Sequence, residues 1–224
     1  MSYRNDAPLR TANLRIDYSR LAVKCRLKAP ELPAGEREIS WLGRAPSGEN
    51  QVADGPCGIY ATASVIESAQ RTRIVDAERR EAYSYAIRHA GRKAGDGLTI
   101  EECVDAAVQV GWLPAGSTAE PCDAEMILMR PLVGAYAVNR VIDESSPRGC
   151  WNHSDGAIHS PMRGYHAMSV LAYGHLDNDP VSRWVGENSW GSAWGDHGLW
   201  TCYDVLHRQM CIALYYIRGL EVVP

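Results

Sequence analysis

The spacing of apolar residues changes character about halfway along the chain, and that change limits the fold more than any single motif does. Upstream of about Glu125, apolar residues recur at helical intervals. The stretch from Cys57 to about Gln70 carries Ile59, Ala63 and Ile66 on one stripe, and Asp76 to about Lys93 carries Tyr83, Ala86, Ile87 and Ala90. A third helix is marked most clearly. Thr99-Ile100-Glu101-Glu102 reads as a capping box, Ile100, Cys103, Val104, Ala107 and Val108 share a face, and Gly111 with Pro114 ends the run. Downstream, the segments Leu132–Val138, His166–Tyr173, Trp184–Gly186 and Ile212–Ile217 are short and β-rich, with Gly, Pro and Asp turns between them. The order predicts an α+β chain of two lobes, a helical one over 48–125 and a β-rich one over 126–224. Residues 1–47 hold no sustained period and read as an extended arm, with one short strand near Leu21-Ala22-Val23. Such an arm stays ordered only if it is pinned to its own domain or to a partner.

Composition narrows the function. The net charge is -4, from 23 Lys+Arg against 27 Asp+Glu, so no nucleic acid is expected as the main partner. No apolar run approaches the roughly 18 residues of a membrane span. Met1-Ser2-Tyr3-Arg4-Asn5-Asp6 leads into no apolar stretch, so no secretory signal is read. The seven cysteines then read as reduced thiols, and the expected location is cytoplasmic or within a particle or assembly. Phenylalanine is absent beside seven Trp and 11 Tyr, so those two aromatics and aliphatics must fill the core.

Three segments carry chemistry. Asn50-Gln51-Val52-Ala53-Asp54-Gly55-Pro56-Cys57-Gly58 places a thiol after a Gly-Pro turn, in the first turn of an amphipathic helix. Gly164-Tyr165-His166-Ala167 places an imidazole at the opening of an apolar strand, and Glu187-Asn188-Ser189-Trp190-Gly191-Ser192-Ala193-Trp194-Gly195 is a Gly/Trp-rich turn directly after a strand. A thiol at a helix N-terminus meets unpaired N–H groups and the positive dipole end, which favour thiolate; a neighbouring imidazole adds to this and can bring a thiol from about 8.5 to about 3–4. An asparagine oxygen can hold the far ring nitrogen. A glutamine amide a few residues before the thiol can donate to a developing oxyanion. Together they make a set for thiol acyl transfer.

The order Cys, His, Asn and the wording of these segments resemble the papain-like cysteine peptidase family. His166-Ala167 resembles its histidine motif, and Asn188-Ser189-Trp190-Gly191 with Trp194-Gly195 and Gly198 resembles its asparagine motif almost letter for letter. The likeness covers roughly 48–218, with Ala90 to Pro114 a looser match. The nucleophile motif departs from the family. With Cys57 as nucleophile, Gln51 stands six positions upstream, as in the family, and Gly55 takes the glycine two before it. Asp54 then replaces the family's structural cysteine, and Gly58 replaces the Trp after the nucleophile. In the other register Tyr60 falls at the nucleophile position, Asp54 at the oxyanion glutamine, and the protein would be inert. The first register keeps Asn50, Gln51, Gly55 and Cys57 together and is preferred. Cys57 to His166 is shorter than is usual in the family, which implies trimmed loops.

The resemblance implies a papain-like fold with the cleft between the lobes. It implies Cys57 as nucleophile, His166 as proton shuttle, Asn188 orienting His166, and Gln51 at the oxyanion. Gly55, Trp190, Trp151 and Tyr165 would line or support the cleft, with Trp190 over the His–Asn bond. The substrate would be a peptide or protein, and no cofactor is implied. Cys103 and the remaining cysteines read as core. Cys150, His153, Asp155 and His159 match no closed zinc spacing, so no metal is expected. The Glu78-Arg79-Arg80-Glu81 run reads as a solvated helix face. The arm is expected to dock the protein into a larger assembly, such as a phage particle or a bacterial complex. The rivals are a structural or binding protein of this fold without turnover, and a hydrolase of cell-wall peptides.

Overall fold

The computed structural model describes residues 14–16, 27–43, 50–51, 55–139, 150–151, 162–175 and 180–223. Three helices come first: α1 (Cys57–Gln70), α2 (Asp76–His89) and α3 (Ile100–Gln109). Helix α1 has no charged side chain before Glu67 and is rich in Ala, Ser and Gly, so it is buried on nearly every side. It packs against α2 and α3 on one side and the β lobe on the other. Helix α2 stops at His89, short of Lys93, because Gly91 adopts a left-handed backbone after the Ala90 cap. The α3 capping box is built as read: the Glu102 N–H donates to Thr99 Oγ1, and the Thr99 N–H donates to the Glu102 carboxylate.

The Glu78–Glu81 run is not a uniformly solvated face. Arg79 is buried; its guanidinium donates to Glu67 Oε2 at 2.8 Å and to the Ile74 carbonyl at 3.0 Å, while the Ile74 N–H donates to Glu67 Oε1. Charge counting along the sequence missed this because the partner sits on α1.

Among the described residues, nine strands form two sheets. β2 (Thr118–Cys122), β9 (Cys211–Arg218), β3 (Leu132–Asn139) and β5 (Met162–Val170) lie side by side in that order; β1 (Glu38–Ser40), β6 (Ala172–Gly174), β7 (Arg183–Glu187), β8 (Leu199–Tyr203) and β4 (Cys150–Trp151) form the other sheet. The apolar stretch read as one strand over His166–Tyr173 breaks at Leu171 and passes from one sheet to the other, so β5 and β6 are consecutive. At this corner Gly186 of β7 lies directly on the Ser169 carbonyl of β5, where no Cβ fits. A short helix, α4 (Asp204–Met210), escaped the periodicity reading because seven residues make barely two turns. The expected strand near Leu21-Ala22-Val23 lies outside the described residues. The described part of the arm is pinned to the chain's own lobes: β1 pairs with β6, and Trp41 Nε1 donates to the Ile127 carbonyl at 2.8 Å.

Without phenylalanine, the β core is closed by Trp184, Trp200 and Tyr136 around a fully buried His207. The imidazole stacks on Trp184 with centroids 4.3 Å apart, and its Nε2 shares a hydrogen bond of 3.0 Å with the Tyr136 hydroxyl. Burial lowers the pKa of His207 from 6.5 to about 3. Above pH 6.5 the ring is neutral folded or unfolded. Below it, the unfolded chain binds a proton that the fold refuses. Stability therefore falls by about 1.4 kcal/mol per pH unit as pH drops from 6.5 towards 3. Urea midpoints measured between pH 7 and pH 4 should show this slope, and His207→Gln should flatten it.

Candidate active site

Each chemistry-bearing segment ends where the lobes meet. Cys57 is the first residue of α1, and Pro56 caps the helix without a side-chain bond. Gly55 precedes it with φ +102, and a Cβ there would strike the Tyr83 hydroxyl and the Asp96 carbonyl, so a side chain is excluded on both counts. The Cys57 thiol is buried against β5 at Ala167; burial raises its pKa, and the backbone N–H groups of Ala167, Gly58 and Cys57 itself offset only part of that rise. Ala167 follows His166, which stands on β5 opposite Tyr136 of β3.

His166 Nε2 lies 2.8 Å from Asn188 Oδ1. The same oxygen accepts the Ser189 backbone N–H at 2.8 Å, and the Asn188 N–H donates to the Gly198 carbonyl. A backbone N–H can only donate, so the atom it meets must be the amide oxygen. His166 Nε2 is then the donor in its bond, and the neutral ring carries its proton on that nitrogen. Trp190 covers the pair, its ring 4.7 Å from the imidazole, and Trp194 meets Trp190 edge-on at 5.3 Å. Water is thereby kept from a bond that strengthens in a low dielectric.

Gln51 reaches the same place from the other side of the sequence. Its backbone N–H donates to the Ser189 carbonyl at 2.9 Å, the Ser189 hydroxyl donates to its Oε1, and Asn50 bridges to Trp190. Tyr165, just before His166, is half-buried and packs beside the cluster that contains Cys57. Trp151 forms β4 with Cys150, paired to β8; its side chain, and residues 153, 155 and 159 of the zinc reading, lie outside the described residues. Tyr60 is committed elsewhere. Its hydroxyl donates to Asp76 of α2, the Arg79 guanidinium lies 5.3 Å over its ring, and burial with the Asp76 carboxylate raises its pKa.

Two features were not read from the sequence. Ser64 of α1 donates to Glu187 Oε2 at 2.6 Å, tying the helix to the strand end that presents Asn188; serine within a helix gave no signal of it. The second is closure. Cys57 and His166 are each only 1% exposed. Burial dominates the thiol, whose pKa is pushed up to about 11, against the depressed value expected from the helix terminus and imidazole alone.

A thiol at a buried helix start and a His–Asn pair under tryptophan thus meet at the boundary of the two lobes, an arrangement suited to thiol chemistry. The family model described as papain family cysteine protease matches residues 62–214, and the chain belongs to that family. The matched span contains His166 and Asn188 and begins after Cys57. Over 50 residues the chain is 38% identical to a "Cathepsin B-like CP1" of Giardia intestinalis, a stretch that is 22% of this chain and 15% of that relative. Among solved structures it resembles xylellain, a cysteine protease from Xylella fastidiosa, with TM-score 0.63 and 14% identity over 97% of this chain and 94% of the other. It also resembles digestive procathepsin L 3 of Tenebrio molitor, with TM-score 0.61 and 18% identity over 93% of this chain and 75% of that one.

The burial of Cys57 sets its expected reactivity. Alkylation of Cys57 by iodoacetamide, followed by peptide mass mapping, should rise about tenfold per pH unit from pH 7 towards 11, because only the thiolate reacts. A plateau reached below pH 8 would mean that the thiol of the resting protein is already ionised.

Proposed function

We propose that the chain is a cysteine peptidase that hydrolyses peptide or amide bonds in peptides or proteins through a thioester. Cys57 supplies the nucleophile. As its sulfur bonds to the scissile carbonyl carbon, the thiol proton resides on His166 Nδ1, opposite the nitrogen that donates to Asn188. The C–N bond then breaks and His166 passes that proton to the leaving amine. Water, deprotonated by His166, releases the acid and restores the thiol. Gln51 and the Cys57 backbone N–H receive the oxyanion, Asn188 holds the ring, and Trp190 shields the bond between them. Gly55 permits the turn before the nucleophile, and Tyr165 flanks the substrate path.

The observation that carries this reading is the convergence of Gln51, Asn188 and Ser189 beside the strand whose Ala167 touches Cys57. The same contacts favour Cys57 over Tyr60 as nucleophile, since Tyr60 is bonded towards α2. The described residues of the arm contact the chain's own lobes. The test is hydrolysis of labelled casein and of short peptide amides. Cys57→Ser and His166→Ala should abolish turnover, and Gln51→Ala should lower kcat by about 10²–10³ with little change in KM. A Cys57→Ser variant that keeps its activity would contradict the assignment, and a folded wild type inert on both substrates would favour a binding protein.

A further inference from the structure

The residue before Asn188 is a buried glutamate. Glu187 is 8% exposed, and its Oε2 accepts the Ser64 hydroxyl at 2.6 Å, the length of a hydroxyl donating to an ionised carboxylate. Ser64 also meets the Ser169 hydroxyl at 3.1 Å, and Ser169 Oγ accepts the Glu187 backbone N–H at 2.9 Å. Glu187 is therefore held from α1 and from β5 at once. Asn188 beside it is 2% exposed. Its Oδ1 is committed to His166 and to the Ser189 N–H, while its Nδ2 finds no acceptor among the described residues. Asn188 and Glu187 line one small cavity together with Ser64, Tyr60 and Arg79, and its volume of about 10 Å³ is room for about one water.

We propose that Glu187 is a positioning residue for the His166–Asn188 pair, joined to the Asn188 amide through one water in this cavity, and that its charge holds the proton His166 gains during the reaction. This rests on the peptidase reading above. The water accepts from Asn188 Nδ2 and donates to the Glu187 carboxylate, which can only accept. Bonds in such a chain polarise one another, so Asn188 Oδ1 becomes more negative where it accepts the His166 Nε2–H. Glu187 itself neither gains nor loses a proton. The charges around it have the matching sign. Among the described residues at this junction, Glu67 of α1 and Glu187 stand against the Arg79 guanidinium of α2, which donates to Glu67 at 2.8 Å. Tyr60 and Asp76 bond to each other, and Asp76 also pairs with Arg80. Burial chiefly raises the Glu67 pKa, Arg79 opposes the rise, and the charge of Glu187 adds to it, so the two carboxylates feel each other. A negative charge favours the protonated imidazole, so removing Glu187 lowers the pKa of His166.

The test titrates the His166 ring proton by NMR in the full-length Cys57→Ser chain, where no thiol titrates beside it, with the signal assigned by its loss in His166→Ala. Glu187→Gln keeps the shape and an acceptor for Ser64 but removes the charge, and should lower the His166 pKa by about one unit. Glu187→Asp keeps the charge on a shorter reach and should stay within about 0.3 units of the parent. With Cys57 in place, Glu187→Gln should lower kcat on a short peptide amide about tenfold and leave KM within about twofold. The Asn188 side-chain amide should also show a cross-peak to a long-lived water, and its absence overturns the bridge. A His166 pKa unmoved in folded Glu187→Gln overturns the proposal. So does a fall in Glu187→Asp as large as in Glu187→Gln, which would make the residue structural. Should Glu187→Gln lose its near-UV circular dichroism, Glu187→Ala, which buries no amide, is held to the same criterion. A shifted pKa in a chain that cleaves no peptide upholds Glu187 and overturns the peptidase; cleavage with an unmoved pKa does the reverse.

Discussion

The hydrogen bond from His166 to Asn188 is the constraint on which the rest of the site depends. It fixes the proton on Nε2 and so decides which nitrogen is turned to other work. It exists because β5 and the turn after β7 are drawn together at one corner. Gly186 lets β7 settle on the Ser169 carbonyl, the Ser169 hydroxyl accepts the Glu187 N–H, and Trp190 closes over the result. Helix α1 is then brought to the same corner by Ser64 on Glu187, and Gln51 by Ser189. Histidine, asparagine, glutamine and cysteine come from four stretches of chain, and few of the contacts that assemble them are between those four residues themselves.

Much of this was legible in the sequence, for identifiable reasons. Helices α1 and α3 showed their bounds because a Gly-Pro turn and a Thr–Glu capping box are local signals, and their structures are local too. The Asn188-Ser189-Trp190-Gly191 string marked the His–Asn pair because tight turns and close aromatic cover demand particular residues. What stayed hidden depends on partners distant in sequence. Arg79 looked like surface because Glu67 lies on another helix. The break at Leu171 left no mark because both halves are equally apolar. The burial of Cys57 was invisible, since it comes from packing against stretches distant in sequence, Ala167 of β5 among them.

That last omission changes the chemistry. A helix start and an imidazole favour thiolate, but taking sulfur out of water disfavours it more, and in this conformation burial wins. A reactive thiol requires the opposite balance, which is restored if water and substrate reach the sulfur.

The central claim is that Cys57 forms the covalent intermediate with the help of His166. The most direct measurement is the intact mass of the full-length chain after incubation with an amino-acid p-nitrophenyl ester and quenching in acid, with the adduct located by peptide mapping. The account predicts a single acyl group on Cys57 that disappears in His166→Ala. An adduct spread over several cysteines, or one on Cys57 that persists undiminished without His166, would contradict it.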